Sequence, residues 1–420
     1  MADFHQDGIV TTIHDLYEIL DHNSYLTSLE ARLQEFARHI RIGLLLPCLY
    51  SEILNPQVLD RIVDEIMKVR YLHTVVVGLG GATKEAQFQE AKKYFARLRI
   101  PERDMKVVWI EGPRVQEVLN RIQTREINTG TPGKGQSVWL ALGYLFARKD
   151  CDVIALHDCD ILTYDRIFLG RLILPTANIH NIFQFCKGYY PRMAPKEKTM
   201  YGRVSRLFMI PFCDTMGTLM QSRGYHEMAR FFNYHRAFKY HLSGEVSFTA
   251  RLGRSLDIAY DWGLEVAMSS EVYHRANPRR IAQISLTPNF DHKHQDLSPG
   301  DSSKGLHRMT VDIGKFYFNY MRSHGLPLDD AFVDMIRYTY YENTRRFIKI
   351  YSDDAEINNL AYDRHQEELT ARYFRDFLET AWTECKKNPD GTLIPSWNRV
   401  LFSVPDIYDH LFKAVEEDNA

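Results

Sequence analysis

The fold of this chain is decided by the stretch DVIALHDCDI, which covers residues 152–161. Its first half is an apolar run with the length and composition of a buried parallel strand. Two aspartates, Asp158 and Asp160, follow at once and are one residue apart. Because side chains alternate along an extended segment, both carboxylates are expected to point the same way while Cys159 points back. In open α/β sheets ligands bind beyond the carboxyl ends of the strands, so the two aspartates are predicted to face a ligand.

Three similar apolar runs precede this stretch. They are IGLLLP at residues 42–47, TVVVGL at 74–79 and MKVVWI at 105–110. Apolar residues at helical spacing separate the runs, and a predicted helix at residues 137–147 leads into the fourth strand. Strand and helix thus alternate four times, which predicts a Rossmann-like α/β fold with a mostly parallel sheet flanked by helices. Residues 206–211 and 280–286 are interpreted as further strands.

Both ends of the chain have helical patterns. Residues 26–36 place leucines and a phenylalanine at helical spacing, and Asn23 or Ser24 is the predicted cap. From about Leu306 onward the pattern is helical and rich in aromatic residues, which predicts a helical C-terminal extension. We therefore expect an N-terminal helical segment at 1–40, an α/β domain at 41–305 and a helical region at 306–420. The aromatic residues of that last region indicate either a subunit interface, and so a homodimer, or equally an internal core.

Composition excludes several classes of protein. The formal net charge is −2 over 420 residues, so the chain lacks the basic footprint of a nucleic-acid-binding protein. No apolar run approaches the roughly 20 residues of a membrane helix, and the N-terminus has no secretory pattern. The six cysteines are scattered without a CxxC pair, which suits a reducing compartment. We expect a soluble, cytoplasmic protein that binds neither nucleic acid nor membrane.

The paired aspartates predict a metal site. Two close carboxylates repel each other unless a cation or a proton relieves the charge. A hard divalent ion, Mg²⁺ or Mn²⁺, that bridges to diphosphate oxygens is the natural occupant. Downstream, the segment NFDHKHQ at 289–295 offers His292, whose neutral imidazole can complete such a site. The alternatives are turn aspartates at a strand end and an exposed loop histidine.

A glycine-rich segment, NTGTPGKG at 128–135, stands directly before a predicted helix. Glycines allow close approach to a phosphate, Lys134 adds positive charge, and a helix N-terminus favours an anion. The segment is not a P-loop, because Lys134 is followed by Gly135 and Gln136 rather than by Ser or Thr. A phosphate-binding role and a flexible loop both remain open.

Taken in order, these motifs resemble those of the glucosyl-3-phosphoglycerate synthase family, retaining GT-A glycosyltransferases related to mannosyl-3-phosphoglycerate and mannosylglycerate synthases. The resemblance covers about 60% of the chain, roughly residues 41–295. The motifs are PGKGxxxW at 132–139, DCD at 158–160, GRV at 202–204, LSGE at 242–245, GLE at 263–265 and His292. The resemblance implies a GT-A fold and metal-dependent transfer of a hexose from a nucleotide-sugar to phosphoglycerate or glycerate, with retention of configuration.

The resemblance also implies roles for individual residues. The implied metal ligands are Asp160 and His292, and the implied catalytic residues are Asp158, Glu265 and Arg203. The implied donor-binding residues are Pro47, Cys48, Leu49, Ser51, Glu52, Gly133, Lys134, Asp158, Leu242, Ser243, Gly244 and Glu245. The implied acceptor-binding residues are Arg203, Val204, Ser205 and His294.

The chain departs from the family pattern where the nucleobase is expected. Relatives carry PxxNEE after the first strand, whereas residues 47–52 here are PCLYSE. The Asp/Ser-rich turn after the second strand is GLGGAT at 78–83. The family's asparagine after the metal histidine is His294 here, so the acceptor is open as well. UDP-glucose and 3-phosphoglycerate are the first choice of substrates, followed by GDP-mannose or glycerate; a nucleotidyltransferase and a non-catalytic nucleotide-sugar-binding scaffold are the competing classes.

Overall fold

The computed structural model describes residues 4–194, 198–288, 290–291, 297–298, 300–301 and 303–420. Its strands are β1 (Thr11–Ile13), β2 (Ile42–Leu49), β3 (Thr74–Gly80), β4 (Asp104–Trp109), β5 (Val153–Leu156), β6 (Phe185–Tyr189), β7 (Met193–Ala194), β8 (Thr199–Met200), β9 (Val246–Thr249), β10 (Ile258–Ala259), β11 (Ile281–Ser285) and β12 (Leu393–Ile394). The α-helices of the first half are α1 (His22–Phe36), α2 (Tyr50–Leu54), α3 (Gln57–Lys68), α4 (Glu85–Phe95), α5 (Pro113–Gln123), α6 (Lys134–Arg148) and α7 (Arg166–Ala177). Those of the second half are α8 (Ile210–Ser222), α9 (His226–Ala237), α10 (Ala250–Gly253), α11 (Leu264–Arg275), α12 (Gly305–Ser323), α13 (Asp330–Ile357), α14 (Arg364–Lys387), α15 (Trp397–Ser403) and α16 (Ile407–Asn419).

A sheet of eight strands forms the centre of the described structure, in the order β1-β11-β6-β9-β5-β2-β3-β4. All neighbours in this sheet are parallel except β9, which runs antiparallel to both β5 and β6. The four strands predicted from the apolar runs are β2 to β5, and the predicted strand at 280–286 is β11. The mostly parallel sheet flanked by helices and the helical C-terminal region are therefore confirmed.

Helix α6 packs against the sheet and positions Lys134 at the site. Twelve of its 15 residues are buried. Gly78 in β3 permits this close packing, since a Cβ there would stand 2.9 Å from Ser137 Oγ. The helix begins at Lys134, so its N-terminus and that lysine lie at the carboxyl edge of the sheet.

Two local predictions were wrong. Residues 206–211 are not a strand but part of a π-helical turn, Val204–Met209, that continues into α8. A short apolar run does not distinguish a strand from a buried helix, and here Phe208, Phe212 and Met216 recur every four residues and are fully buried. The cap of α1 is Asp21, whose carboxylate accepts from the backbone N–H of Ser24, rather than Asn23 or Ser24.

An apolar core separate from the eight-stranded sheet is formed mainly by helices. It joins α8 and α9 to the long helices α12, α13 and α14. Phe316, Phe318 and Tyr340 are buried in it, whereas Tyr338 is 57% exposed. The internal-core interpretation therefore holds for most aromatic residues of the C-terminal region, and the three-part division of the chain stays a prediction.

The last two helices, α15 and α16, pack against α6 and β4 of the α/β domain. Trp397 stacks on Trp139 of α6 with ring centroids 4.4 Å apart. Asn419 in α16 accepts from the N–H of Val107 at 3.0 Å and donates to its carbonyl at 2.8 Å. Among the described helices, none has the length and apolar character needed to cross a membrane.

Candidate active site at the carboxyl edge of the sheet

Three charged side chains from three different elements meet beyond β5. The ammonium of Lys134 lies 2.7 and 2.9 Å from the two carboxylate oxygens of Asp158 and 3.1 Å from Glu265 Oε1. Asp158 follows β5, and Glu265 lies in the first turn of α11. Burial by itself would lower the pKa of Lys134, but the charges of Asp158 and Glu265 outweigh it and raise that pKa. Lys134 is therefore a fixed positive charge.

Negative charge is in excess around this lysine. Burial, and after it the charge of Asp158, raises the pKa of the Asp160 carboxyl, with Glu245 and Glu52 adding to the effect. Burial and the charge of Asp158 also raise the pKa of Glu245. A group of carboxylates that disfavour one another's ionisation is the electrostatic environment that a cation stabilises.

A turn at residues 242–245 closes the site from the β9 side. Its last residue, Glu245, is buried and accepts from the hydroxyls of Tyr190 at 2.6 Å and Ser243 at 2.8 Å. Gly244 packs directly on the charged pair, because a Cβ there would stand 2.9 Å from Asp158 Oδ2 and 3.1 Å from Lys134 Nζ. The turn and the charged pair are thus in close contact.

A cavity of about 300 Å³ opens beside the charged cluster. Its lining includes Lys134, Asp158 and Glu265, together with residues 202–205 and Leu242. Leu306 and Met309, from the start of α12, complete the wall. Arg203 is 46% exposed and stands at the start of the π-helical turn, directly after Gly202, whose φ of 74° is left-handed. A molecule in this cavity can therefore contact both basic and acidic side chains.

The residues predicted for the nucleobase lie further along the same edge. Pro47, Cys48 and Leu49 end β2, and Ser51 and Glu52 begin α2. Cys48 is buried, while Leu49 is 57% exposed. Next to them, the backbone N–H of Gly81 donates to Glu111 Oε1 at 2.8 Å. Leu49 therefore exposes an apolar side chain at the end of β2, where the nucleobase is predicted to bind.

Two curated proteins match the chain over its whole length. The glucosyl-3-phosphoglycerate synthase of Persephonella marina is 38% identical over 421 aligned residues, which cover 100% of both chains. The enzyme of the same name from Methanococcoides burtonii is 35% identical and covers 99% of this chain and 98% of its own. This chain belongs to the glucosyl-3-phosphoglycerate synthase family. No protein-family model matches it.

Solved structures of the family share the fold. A glucosyl-3-phosphoglycerate synthase from Mycobacterium tuberculosis, in complex with phosphoglyceric acid, superposes with a TM-score of 0.50 at 19% identity. The superposition covers 76% of this chain and 89% of that one. A structure of the same enzyme with Mn²⁺, UDP-glucose and phosphoglyceric acid gives the same TM-score and identity. The GT-A fold expected from the motifs is confirmed.

The structure brings together some of the predicted site residues and separates others. Lys134, Asp158, Arg203, Val204, Ser205, Leu242 and Glu265 line one cavity. Gly133, Ser243, Gly244 and Glu245 lie next to that group, and Asp160 is close enough to feel the charges of Asp158 and Glu245. The cavity lining does not include Pro47, Cys48, Leu49, Ser51 or Glu52, although Glu52 is close enough for its charge to act on Asp160. His292 and His294 lie outside the described residues.

Sequence reasoning missed several polar residues around the same cavity. Arg192 and Tyr240 line it and are joined by a hydrogen bond of 2.9 Å, and Trp262 exposes 39% of its surface there. Lys187 is buried behind the turn at 242–245. The sequence signal for these residues was the basic and aromatic pattern KGYYPR at 187–192, which covers the end of β6 and the residues that follow it.

Proposed function

We propose that this chain transfers glucose from UDP-glucose to 3-phosphoglycerate in a metal-dependent reaction that retains the anomeric configuration. The observation that supports this most is that Lys134, Asp158, Glu265 and Arg203 line the same cavity. It is supported further by membership of a family whose relatives carry this activity in their name. The M. tuberculosis enzyme was solved with UDP-glucose, phosphoglyceric acid and Mn²⁺ bound.

Lys134 acts on the donor side. Its ammonium is held by two carboxylates, so it is charged throughout the physiological pH range and does not need to reorient. When the glycosidic bond breaks, negative charge grows on the leaving diphosphate. A preorganised cation at that position stabilises this charge, which is usually the largest contribution in a site of this kind.

The donor set fits a hard divalent cation, because carboxylate oxygens gather here and burial raises the pKa of Asp160. Asp160 is the residue that would hold the ion, with His292 as its predicted partner. Among the described residues, no group of three side chains is arranged to hold a metal ion. His292, the predicted second ligand, lies outside the described residues. A bound Mg²⁺ or Mn²⁺ supplies charge neutralisation on the diphosphate.

Arg203 acts on the acceptor side. Its planar guanidinium binds phosphate or carboxylate through paired hydrogen bonds, and 3-phosphoglycerate carries both groups. Val204 and Ser205 follow at the start of a helical turn, where backbone N–H groups favour an anion. An acceptor fixed there is held beside the donor, and such positioning supplies much of the rate enhancement.

No protein nucleophile is assigned. Glu265 is bound to Lys134, and Glu245 is bound to Tyr190 and Ser243. Both carboxylates are thus occupied as structural and electrostatic groups. As the family resemblance implies, the acceptor hydroxyl attacks the sugar on the face from which the diphosphate leaves. Its bond to the anomeric carbon forms as the bond to the diphosphate breaks, and its proton passes to the leaving phosphate oxygen. Asp158 and Glu265 stabilise the positive charge that develops on the sugar.

The test is nucleoside diphosphate release, measured for UDP-glucose and GDP-mannose, each with 3-phosphoglycerate and with glycerate. Every pair is run with Mg²⁺, with Mn²⁺ and with chelator. Release of UDP that requires UDP-glucose, 3-phosphoglycerate and metal is the expected result. Release from GDP-mannose or with glycerate only would reassign the substrates, pyrophosphate release would indicate a nucleotidyltransferase, and binding without release would indicate a non-catalytic scaffold.

We also propose that the chain forms a homodimer through its C-terminal helical region. Tyr338, Ile350 and Ile357 on α13 are 57%, 56% and 85% exposed. Exposed aromatic and aliphatic side chains on one long helix are typical of the central part of a subunit interface. A cytoplasmic location stays a prediction.

A further inference from the structure

Lys187 is a buried cation directly behind the site. It lies in β6 and only 1% of its surface is exposed. Its ammonium donates to the carbonyl oxygen of Ser243 at 2.6 Å. Burial lowers the pKa of Lys187 to about 8, and the charges of Glu265 and Glu245 act against that shift. A buried ammonium is costly unless opposite charges and acceptors stabilise it, so its presence in the sheet calls for a structural reason.

The acceptor of this hydrogen bond is the turn that contacts the charged cluster. Ser243 precedes Gly244, whose backbone leaves no space for a side chain beside Asp158 and Lys134. Ser243 also donates its hydroxyl to Glu245 at 2.8 Å. A shift of the Ser243 carbonyl would therefore move both the backbone that packs on the Lys134–Asp158 pair and the Glu245 carboxylate.

Lys187 also lies near Glu265, the second carboxylate that binds Lys134. Lys187, Ser243, Gly244 and Glu265, together with four apolar residues, line a small cavity of about 10 Å³. This volume is that of a single water molecule. The ammonium is thus close to the carboxylate that holds Lys134 from its other side.

We propose that Lys187 is a positioning residue, which fixes the turn at 242–245 through the Ser243 carbonyl and so holds the Lys134–Asp158–Glu265 cluster in its reactive arrangement. The inference rests on the proposed function, since it assigns the cluster a role in glucosyl transfer. Lys187 itself contacts neither donor nor acceptor. Its removal lowers the rate of transfer and, because Lys134 acts on the diphosphate, also weakens the binding of UDP.

The test replaces Lys187 by methionine, which keeps the length of the side chain and removes the ammonium. Arg103→Met is the matched control. Arg103 is also 1% exposed and also donates to backbone carbonyls, those of Leu98, Ile66 and Val69. It precedes β4, an edge strand that lies five positions from β6 in the sheet. Both variants are compared with the wild type for melting temperature, UDP affinity, kcat and the Michaelis constant for UDP-glucose.

We expect Lys187→Met to lower kcat at least tenfold and to weaken UDP binding at least threefold, because Lys134 is displaced together with the turn. Arg103→Met is expected to lower the melting temperature by a similar amount and to keep kcat within twofold. If Lys187→Met does not fold, Lys187→Gln, which keeps a shorter neutral donor, is expected to show the same two losses. A kcat within twofold of the wild type in the folded Lys187 variant, or equal losses in both variants, would overturn the proposal.

A crystal structure of the folded Lys187 variant separates this proposal from the proposed function. We expect the Ser243 carbonyl and Gly244 to move relative to Asp158, whichever substrates the enzyme uses. An unmoved turn would contradict the positioning role even if glucosyl transfer is established. Absence of transfer by the wild type, with a moved turn in the variant, would contradict the proposed function alone.

Discussion

Gly244→Ala is the perturbation whose effect the structure defines most sharply. An added Cβ would stand 2.9 Å from Asp158 Oδ2 and 3.1 Å from Lys134 Nζ, whereas such contacts become ordinary only at 3.4 Å. The carboxylate therefore has to retreat by about 0.5 Å and the ammonium by about 0.3 Å. The backbone of Gly244 is not left-handed, so alanine adds no conformational strain of its own. The substitution acts on the charged pair.

A misplacement of about 1 Å at a reacting centre costs on the order of 100-fold in rate, so about 0.5 Å is expected to lower kcat roughly tenfold. Two charged side chains at a cavity can shift without unfolding the protein, so the free energy of unfolding is expected to change by less than about 1 kcal/mol. The assay is initial-rate UDP release at saturating substrates, with urea unfolding in parallel. Gly300→Ala, where a Cβ meets nothing within 4 Å, is the control. Wild-type kcat in folded Gly244→Ala would refute the reasoning.

Three other predictions concern the acceptor, acid stability and assembly. Arg203→Met is expected to raise the Michaelis constant for the phosphoglycerate acceptor at least tenfold, since a hydrogen bond to a charged group contributes about 1.5–3 kcal/mol. The control is Arg223→Met, on the surface beside Phe332, which is expected to leave this constant unchanged. An unaltered constant in Arg203→Met would contradict the acceptor role. His241 is 3% exposed and, among the described residues, neither ring nitrogen has a hydrogen-bond partner. Burial, and after it the charge of Lys187, lowers the pKa of His241 to about 4. Between pH 6.5 and 4 the unfolded chain takes up a proton that the folded chain does not, so stability falls with falling pH by up to about 3 kcal/mol. His241→Leu should flatten this part of the stability profile measured by urea unfolding, and an unchanged slope would refute the assignment. Light scattering is expected to give twice the chain mass of 49.1 kDa, and a monomeric mass at micromolar concentration would exclude the homodimer.

The parallel half of the sheet could be predicted because its strands are continuous apolar runs. Residues 42–47, 74–79 and 105–110 correspond to β2, β3 and β4, within two residues at each end. The antiparallel strand β9 could not be predicted in the same way. It has four residues, VSFT, and it acquires its place between β5 and β6 only through pairing with distant segments. The strand prediction at 206–211 was wrong because a short, largely apolar run is compatible with both periodicities.

The candidate site likewise contains residues that the sequence could predict and residues that it could not. Asp158, Lys134 and Glu265 could be predicted from motifs, because the sequence alone shows that a carboxylate follows a strand or that a lysine begins a helix. Their convergence within 3.1 Å depends on the packing of α6 and α11 against the sheet. Lys187 could not be predicted in this way, since a lysine within a strand is ordinarily exposed. Only the fold shows that its ammonium is buried against the turn at 242–245.

The most direct test of the proposed reaction is product analysis by NMR after incubation of the protein with UDP-glucose, 3-phosphoglycerate and Mn²⁺. We predict an α-linked glucosyl-3-phosphoglycerate and UDP in equal amounts, formed by the wild type and strongly reduced in Lys134→Met. A β-linked product would contradict the retaining, front-side step. Equal product formation by wild type and folded Lys134→Met would show that the charged cluster beyond β5 is not where the reaction takes place.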